Sequence, residues 1–281
     1  MKPVFTLLSV LSVLLSSCAF DTSDPKKGTV IQSEYDSTVD HLIAMNTNAL
    51  GGEAALDAVR TMVKTSLIVE GKYRDIAVFV TDRMGRMRVD LFDDSERVFA
   101  ESFDGTQGHQ WDPKNGQVLA SERGTIALSH TPQLPNHIFR LKDMRANGHS
   151  LEHVERDRTA EDGFALLKLT LQDGFVNYPW LDERNGLVKR VRNTRALHVD
   201  IDDEEKLIET RISDFRSIES IVHPHKVVEV DLRSGETLVD VTLLALQINT
   251  QIPEQYFFDL VDIVPERLWR AQDQYDRLRT D

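Results

Sequence analysis

Hydrophobic and polar residues alternate along most of the chain after residue 62, and this period of two predicts β-strands. In the stretch "GRMRVDLF", Met87, Val89 and Leu91 share one face, and the charged residues between them share the other. That pattern is typical of an antiparallel strand with one face in solvent. About eleven strands are predicted: Val63–Glu70, Asp75–Thr81, Arg86–Phe92, Arg97–Phe103, Ser150–Arg156, Phe164–Leu171, Val176–Asp182, Leu187–Val199, Lys206–Phe215, His225–Leu232 and Thr237–Ile248.

Helical periodicity is confined to four segments. It predicts a helix over Glu34–Ala49 and a short one over Glu53–Met62, separated by a Gly-Gly break. A third helix is predicted over Pro135–Asn147, because proline suits a first turn and a glycine follows the last residue. A fourth is predicted after Pro265.

These elements predict an α+β fold with a curved antiparallel sheet. A wide sheet twists and tends to curl, so an incomplete β-barrel with a helical lid or plug and a C-terminal helix is expected. The few helices either fill the hollow or leave a cavity, depending on side-chain volume. The candidate cavity-lining residues are Met87, Val89, Leu91, Leu167, Leu169, Val239, Val241 and Leu243. The candidate mouth or lid residues are Leu134, Ile138, Phe139 and Leu141.

The N-terminal segment predicts export from the cytoplasm. Lys2 precedes an apolar run from Val4 to Leu15, which is shorter than the roughly 20 residues needed to cross a bilayer. A charged start, a short apolar core and small residues before a cut site are typical of a signal peptide. Residues 1–17 are therefore predicted to be removed, residues 18–33 to form a flexible polar tether, and residues 34–281 to form a single half-barrel domain.

The junction Leu15-Ser16-Ser17-Cys18 contains the only cysteine of the chain, so an intramolecular disulfide is excluded. The junction resembles the bacterial lipobox. That resemblance implies that Cys18 becomes the first mature residue and carries acyl chains. Ala19 occupies the position where an inner-membrane retention signal typically has aspartate. The resemblance therefore implies an outer-membrane, lipid-anchored protein that faces the periplasm.

The charge of the chain limits its partners. With 33 basic and 46 acidic residues, the formal net charge is −13. Such a protein has no phosphate-tracking surface, so nucleic-acid binding is not expected. Anionic lipid head groups would also repel it, so membrane attachment is predicted to depend on the lipid at Cys18.

Candidate catalytic and metal-binding chemistry is sparse. His223-Pro224-His225 places two imidazoles two residues apart, but no third metal ligand is near in sequence. The acidic run around Asp200–Glu205 lacks the spacing of a calcium loop and is interpreted as a solvated hairpin turn. We find no nucleophile-elbow, P-loop or dinucleotide motif. No catalytic residue, metal or cofactor is predicted, and a hydrolase remains an alternative because catalytic groups need not be close in sequence.

Five stretches carry a family resemblance in conserved order along about three quarters of the mature chain. They are "ALGGEAALDAVRTMVKTSLIVEG", "FDGTQGHQWDPKNGQ", "YPWLDERNGLVKRV", "DFRSIESIVHPHKV" and "INTQIPEQYF". They resemble the outer-membrane lipoprotein-sorting-like family, which includes the Lol periplasmic carrier and its outer-membrane receptor. The resemblance implies a half-open barrel with a helical lid and an apolar cavity that takes acyl chains.

Two functional hypotheses follow. The first is a non-enzymatic, lipid-anchored protein that binds an acyl chain, a lipid or a lipidated protein in its cavity, with a role in lipoprotein or lipid trafficking to the outer membrane. The second is an envelope scaffold or regulatory module with a filled core that binds a protein partner through its surface. The two hypotheses differ in whether the hollow is occupied by side chains.

Overall fold

The computed structural model describes residues 38–94, 96–134, 137–154 and 163–261. Residues 38–49 are helical (α1). Three further α-helices are α2 (Glu53–Ala58), α3 (Glu122–His130) and α4 (Leu141–Met144). Two short 3-10 helices cover Thr131–Gln133 and Glu254–Phe257. The strands are β1 (Thr61–Glu70), β2 (Tyr73–Asp82), β3 (Met87–Asp93), β4 (Glu96–Phe103), β5 (Gly108–Asp112), β6 (Gly116–Leu119), β7 (Ser150–His153), β8 (Phe164–Thr170), β9 (Val176–Asp182), β10 (Leu187–Arg195), β11 (Lys206–Ile218), β12 (Ile221–Asp231) and β13 (Thr237–Ile248).

The strands form one 13-stranded sheet in the order β6-β5-β4-β3-β2-β1-β13-β12-β11-β10-β9-β8-β7. Every pairing is antiparallel, and β1 pairs with β13 in the middle of the sheet. The register shifts at Thr65/Ser66, Leu91/Phe92 and Val188/Arg190. Such irregularities, of which β-bulges are one kind, bend a sheet and increase its twist. The prediction of a curved antiparallel sheet with few helices is confirmed. The sheet remains open rather than closing into a barrel.

The helices differ from the sequence-based prediction in two places. α2 ends at Ala58 instead of Met62, because Val59 is already extended and Thr61 begins β1. The helix predicted over Pro135–Asn147 is reduced to the four residues of α4. Arg140 is extended, and its backbone N–H donates to the Asp143 carboxylate at 2.8 Å, so the helix begins only after it.

Periodicity predicted neither α3 nor the strands β5 and β6, although the resemblance of the stretch "FDGTQGHQWDPKNGQ" implied a hairpin there. The Ser121 hydroxyl caps α3 by accepting a hydrogen bond from the backbone N–H of Gly124 at 2.9 Å. A serine followed by a glutamate in the first turn is a helix-start signal, but Gly124 and Thr125 follow within three positions of that glutamate and weaken the helical period. The helix exists because Leu128 packs on the sheet beside Met87 and Val89.

The two faces of the sheet are covered by different segments. The face that carries Ser66, Phe79, Val227 and Val241 is called the inner face, and the other is the outer face. On the inner face, a large apolar cluster joins α1, α2 and residues 138–144 to β8, β9 and β10. A smaller cluster joins α3 to β2 and β3. Helices therefore cover both flanks of the inner face, and its central strands lie between the two clusters.

The outer face of β3 corrects the prediction that its charged residues are in solvent. Arg88 and Asp90 have no exposed surface, because residues 250–261 fold back over them. The Arg88 guanidinium donates to both Asp90 oxygens, at 2.8 and 2.7 Å, and to the backbone oxygen of Tyr256 at 2.9 Å. The Tyr256 hydroxyl donates to Asp90 at 3.0 Å. The alternating pattern was correct, but a buried ion pair replaces the solvent.

Several predicted segments lie outside the described residues: the signal peptide, Cys18, the tether and the helix after Pro265. Within the described residues, no helix has both the length and the apolar composition to span a membrane.

Candidate functional site

A cavity of about 510 Å³ lies on the inner face of the sheet. Its floor is formed by the central strands β1, β2, β12 and β13. Its sides include α3, the residues Thr131, Leu134 and His137, and the loop 196–205 between β10 and β11. Small-molecule sites typically have volumes of about 300–1,000 Å³. The hollow is therefore only partly filled by helices and is large enough for a ligand.

Much of the lining is apolar. It comprises side chains from five strands, from α3 and from the adjoining loops: Ile68, Ala77, Phe79, Phe99, Ile126, Ala127, Leu128, Leu134, Phe175, Ala196, Leu197, Val199, Ile201, Val227, Val239, Val241 and Leu243. Burying apolar ligand surface against such a wall contributes about 25 cal/mol per Å². The cavity can therefore bind an apolar ligand without polar contacts along most of its length.

Two exposed apolar residues line the cavity, Ile126 on α3 and Ile201 in the loop 196–205. Ile126 is 43% exposed and Ile201 is 78% exposed. The loop is attached to the start of α3 by Asp200, whose carboxylate accepts hydrogen bonds from the Ser121 hydroxyl and, at 3.1 Å, from the Ser121 backbone N–H. Gly124 allows this approach, because a Cβ there would overlap the Asp200 carboxylate.

A cluster of basic side chains lies at the buried end of the cavity. Lys64, His137 and His223 line it and are each at most 8% exposed. The Nζ atom of Lys64 is 3.1 Å from Nδ1 of His137. The guanidinium of Arg140, behind the lining, is 3.3 Å from Nδ1 of His223. These four residues are called the basic cluster.

Burial shifts the pKa of every member of the basic cluster. It lowers the pKa of Lys64 to about 7, and the nearby charge of Arg140 adds to the effect. It lowers the pKa of His137 and of His223 well below the usual value, again with repulsion from neighbouring cations. Burial also lowers the pKa of Arg140 to about 10, although Asp143 opposes the shift. Both imidazoles are therefore neutral at neutral pH, and Lys64 is close to its midpoint.

The opposite part of the lining carries acidic groups. Burial raises the pKa of Glu101 to about 6. Register places Lys64 opposite Phe79, Phe79 opposite Val89, and Val89 opposite Glu101. Three strand spacings of about 4.8 Å separate Lys64 from Glu101 by roughly 14 Å. The cavity is therefore basic at one end and acidic at the other, with apolar side chains between.

The other lining carboxylate on the sheet, Glu229, has strong partners. The Arg195 guanidinium donates to both of its oxygens at 2.7 Å, and the Thr210 hydroxyl lies 3.3 Å away. At the rim, His198 pairs with Glu70 at 2.9 Å, and this hydrogen bond raises the pKa of His198. The charge of Glu229 is thus balanced by Arg195, whereas Glu101 faces the cavity and is ionised above about pH 6.

The candidate lining residues fall into two sets. Val239, Val241 and Leu243 line the cavity. Met87, Val89 and Leu91 lie on the inner face by register but outside the lining, because α3 covers them. Leu167 and Leu169 are fully buried in the cluster with α4 and also lie outside the lining.

The candidate lid residues divide in the same way. Leu134 lines the cavity. Ile138, Phe139 and Leu141 are buried in the large inner-face cluster, with at most 6% of their surface exposed. The observed cover over the cavity is instead formed by α3 and the loop 196–205, both absent from the candidate list.

The functional residues missed by the sequence analysis are charged residues on inward-facing positions of apolar strands. Lys64 lies in "TMVKTSLIVE" and Glu101 lies in "ERVFAESF". A charge at an inward-facing position of such a strand was a usable signal. The acidic run was interpreted as a solvated turn, but Asp200 holds the loop to α3 and Glu205 lines the cavity.

The histidine pair also has a different environment from a metal site. His223 faces Arg140, and Nδ1 of His225 is 3.2 Å from the backbone oxygen of His223. In the described part of the chain, no three His, Cys, Asp or Glu side chains are grouped closely enough to hold a metal ion.

Solved structures of other proteins have a similar architecture. The chain is similar to an outer membrane lipoprotein-sorting protein domain from Vibrio parahaemolyticus, with a TM-score of 0.52, 11% identity, and coverage of 73% of this chain and 92% of that one. It is also similar to a LolA superfamily protein from Nitrosomonas europaea, with a TM-score of 0.50, 14% identity, and coverage of 75% and 96%. The chain has a Lol-like fold. No family model and no curated protein matches the sequence. In this Lol-like fold, the basic cluster lies on β1, on β12 and in the segment that follows α3.

Proposed function

We propose that this protein is a non-enzymatic carrier or receptor that binds an acyl chain, a lipid or a lipidated protein in the cavity. The observation that carries the proposal is the apolar lining of a cavity of about 510 Å³ in a Lol-like fold. Its similarity to a lipoprotein-sorting protein domain supports a place in lipid or lipoprotein traffic. The alternative of a filled scaffold is less well supported, because the helices leave this space open.

Native mass spectrometry of the full chain, first stripped of bound lipid and then mixed with dodecanoate or a lipopeptide, tests the proposal. A stable mass increase of one ligand is expected. Val227 lines the cavity, and Val228 follows it on the outer face. Val227→Trp should obstruct the cavity and weaken uptake, whereas Val228→Trp, the matched control, should retain it.

Thermal unfolding of both variants checks that each remains folded. Uptake that is equal in the two variants, or no uptake by the wild-type chain, would contradict binding in this cavity. Leu167 is unsuitable for a blocking substitution, because it is fully buried in the packed cluster, where tryptophan would disrupt the fold.

We further propose that Cys18 anchors the protein to the outer membrane, with the domain in the periplasm. The lipobox-like junction supports this anchor, and several acyl chains on one residue give lasting attachment. Mass analysis of the mature N-terminal peptide should find acyl chains on Cys18, and Cys18→Ala should remove the protein from the membrane fraction. An unmodified Cys18 in the membrane-bound protein would contradict the anchor.

A further inference from the structure

The basic cluster places several hydrogen-bond donors at one end of the cavity. An arginine side chain can only donate, so Nδ1 of His223 accepts from Arg140 and the ring proton of His223 is on Nε2. The same reasoning applies to His137 when Lys64 is charged, because an ammonium group also only donates. The cluster then presents N–H donors and positive charge.

Such an arrangement is costly without an anion. The nearby charge that affects Lys64 is positive, because it belongs to Arg140. The negative charge of Asp143 stabilises the charged form of Arg140, and the Asp143 carboxylate also forms a salt bridge with Arg83 at 3.0 Å. The Lys64 amine contacts His137 and lies over the Phe79 ring, 4.5 Å from its centroid, and neither contact supplies a negative charge. Burying a charged amine is unfavourable unless a counter-charge is supplied. A ligand with only acceptor oxygens and a negative charge complements this cluster.

We propose that the basic cluster is a subsite for the anionic head group, a carboxylate or a phosphate, of an acyl-chain amphiphile. The chain of that amphiphile lies along the apolar lining toward α3 and the loop 196–205. This inference rests on the proposed function and adds to it the charge and the orientation of the ligand.

The charge distribution in the cavity favours one orientation. Glu101 lies roughly 14 Å from Lys64, estimated from three strand spacings, and would repel a carboxylate placed near it. Glu229 is neutralised by Arg195. Between the two ends lie Phe79 and residues from β13, which offer only apolar surface. An anionic head group is therefore stabilised at the Lys64 end and its chain between the ends.

The proton equilibrium of Lys64 supports the same conclusion. A bound anion favours the charged form of a neighbouring amine, so binding should take up a proton when the free lysine is partly neutral. The groups that face Lys64 are His137, Arg140 and His223. None of them supplies a negative charge, so the affinity for an anion should fall as the pH rises above about 7.

Isothermal titration of the full chain, stripped of lipid, with dodecanoate and with the neutral alcohol dodecanol tests the proposal. The two probes share a chain and differ in charge. Dodecanoate should bind at least tenfold more tightly than dodecanol at neutral pH. Lys64→Met should remove this preference, so that the variant binds dodecanoate no more tightly than dodecanol. His223→Gln, a second variant that keeps Lys64, should reduce the preference at least threefold. Lys168→Met, on the outer face of β8, is the matched control and should behave as the wild type.

The outcomes separate the two proposals. If dodecanol binds as tightly as dodecanoate, the anionic subsite is wrong and the acyl-binding proposal stands. If neither probe binds, the acyl-binding proposal itself fails. If inorganic phosphate alone binds as tightly as dodecanoate, the chain adds nothing and the amphiphile assignment is overturned.

Discussion

The buried amine of Lys64 predicts an unusual dependence of stability on pH. The unfolded chain binds a proton on this lysine below about pH 10.5, whereas the folded chain binds it only below about pH 7. Between these values the unfolded state holds more protons, so the free energy of unfolding rises with pH. The expected slope from this one group is about 1.4 kcal/mol per pH unit.

The magnitude is large enough to measure. Between about pH 7.5 and about pH 9.5, Lys64 should contribute roughly 3 kcal/mol of increasing stability, against a typical total of about 5–15 kcal/mol. Lys64→Met removes the titrating amine and replaces it with an apolar side chain of similar length. The variant should therefore be more stable than the wild type near neutral pH, and its advantage should shrink as the pH rises.

Urea unfolding of the wild type, Lys64→Met and the control Lys168→Met over this pH range measures the effect. Lys168 occupies the outer face of β8, so the control should keep the wild-type slope. Equal slopes for the wild type and Lys64→Met would show that Lys64 titrates normally, and the electrostatic description of the cavity would then be wrong.

Three further predictions concern other parts of the structure. Burial raises the pKa of Glu101 from 4.5 to about 6, so the stability that it contributes is complete below about pH 4.5 and is lost as the pH rises through about 6. Urea unfolding should show this loss of about 2 kcal/mol in the wild type and not in Glu101→Gln. Asp90→Ala should cost about 3–5 kcal/mol by leaving two arginines buried without their counter-charge. Tyr256→Phe, which removes one hydrogen bond to the same carboxylate, should cost about 1–3 kcal/mol; thermal unfolding that is equal for both variants would contradict this ranking. Gly124→Ala should displace the Asp200 carboxylate and expose the loop 196–205 to limited proteolysis, and an unchanged cleavage pattern would refute the role of that contact.

The amino-acid pattern alone was sufficient for the fold class. Alternation of apolar residues reports which positions share a face, because successive strand residues point to opposite sides. Met87, Val89 and Leu91 do share the inner face with Ala77 and Phe79. The α1 helix and the strand β13 also lie where periodicity predicts them, within the described residues.

Periodicity could not say what covers each face. Alternation places Arg88 and Val89 on different faces of β3. The pattern is the same whether Arg88 contacts water or a carboxylate. Residues 250–261 bury it with Asp90, a contact more than 160 positions away in sequence. Likewise, α3 covers Val89 but leaves Val241 open to the cavity, and nothing in either strand distinguishes the two valines.

Local patterns in the chain were therefore sufficient for the sheet, its two faces and the shortage of helices to fill the hollow. The position of the remaining space, and the meeting of Lys64, His137 and His223 at its end, depend on tertiary packing. The two kinds of feature differ in the sequence separation of the residues that produce them. Strand and helix patterns arise from neighbours within a few residues, whereas cavities and buried charge clusters arise from volume and charge brought together from distant parts of the chain.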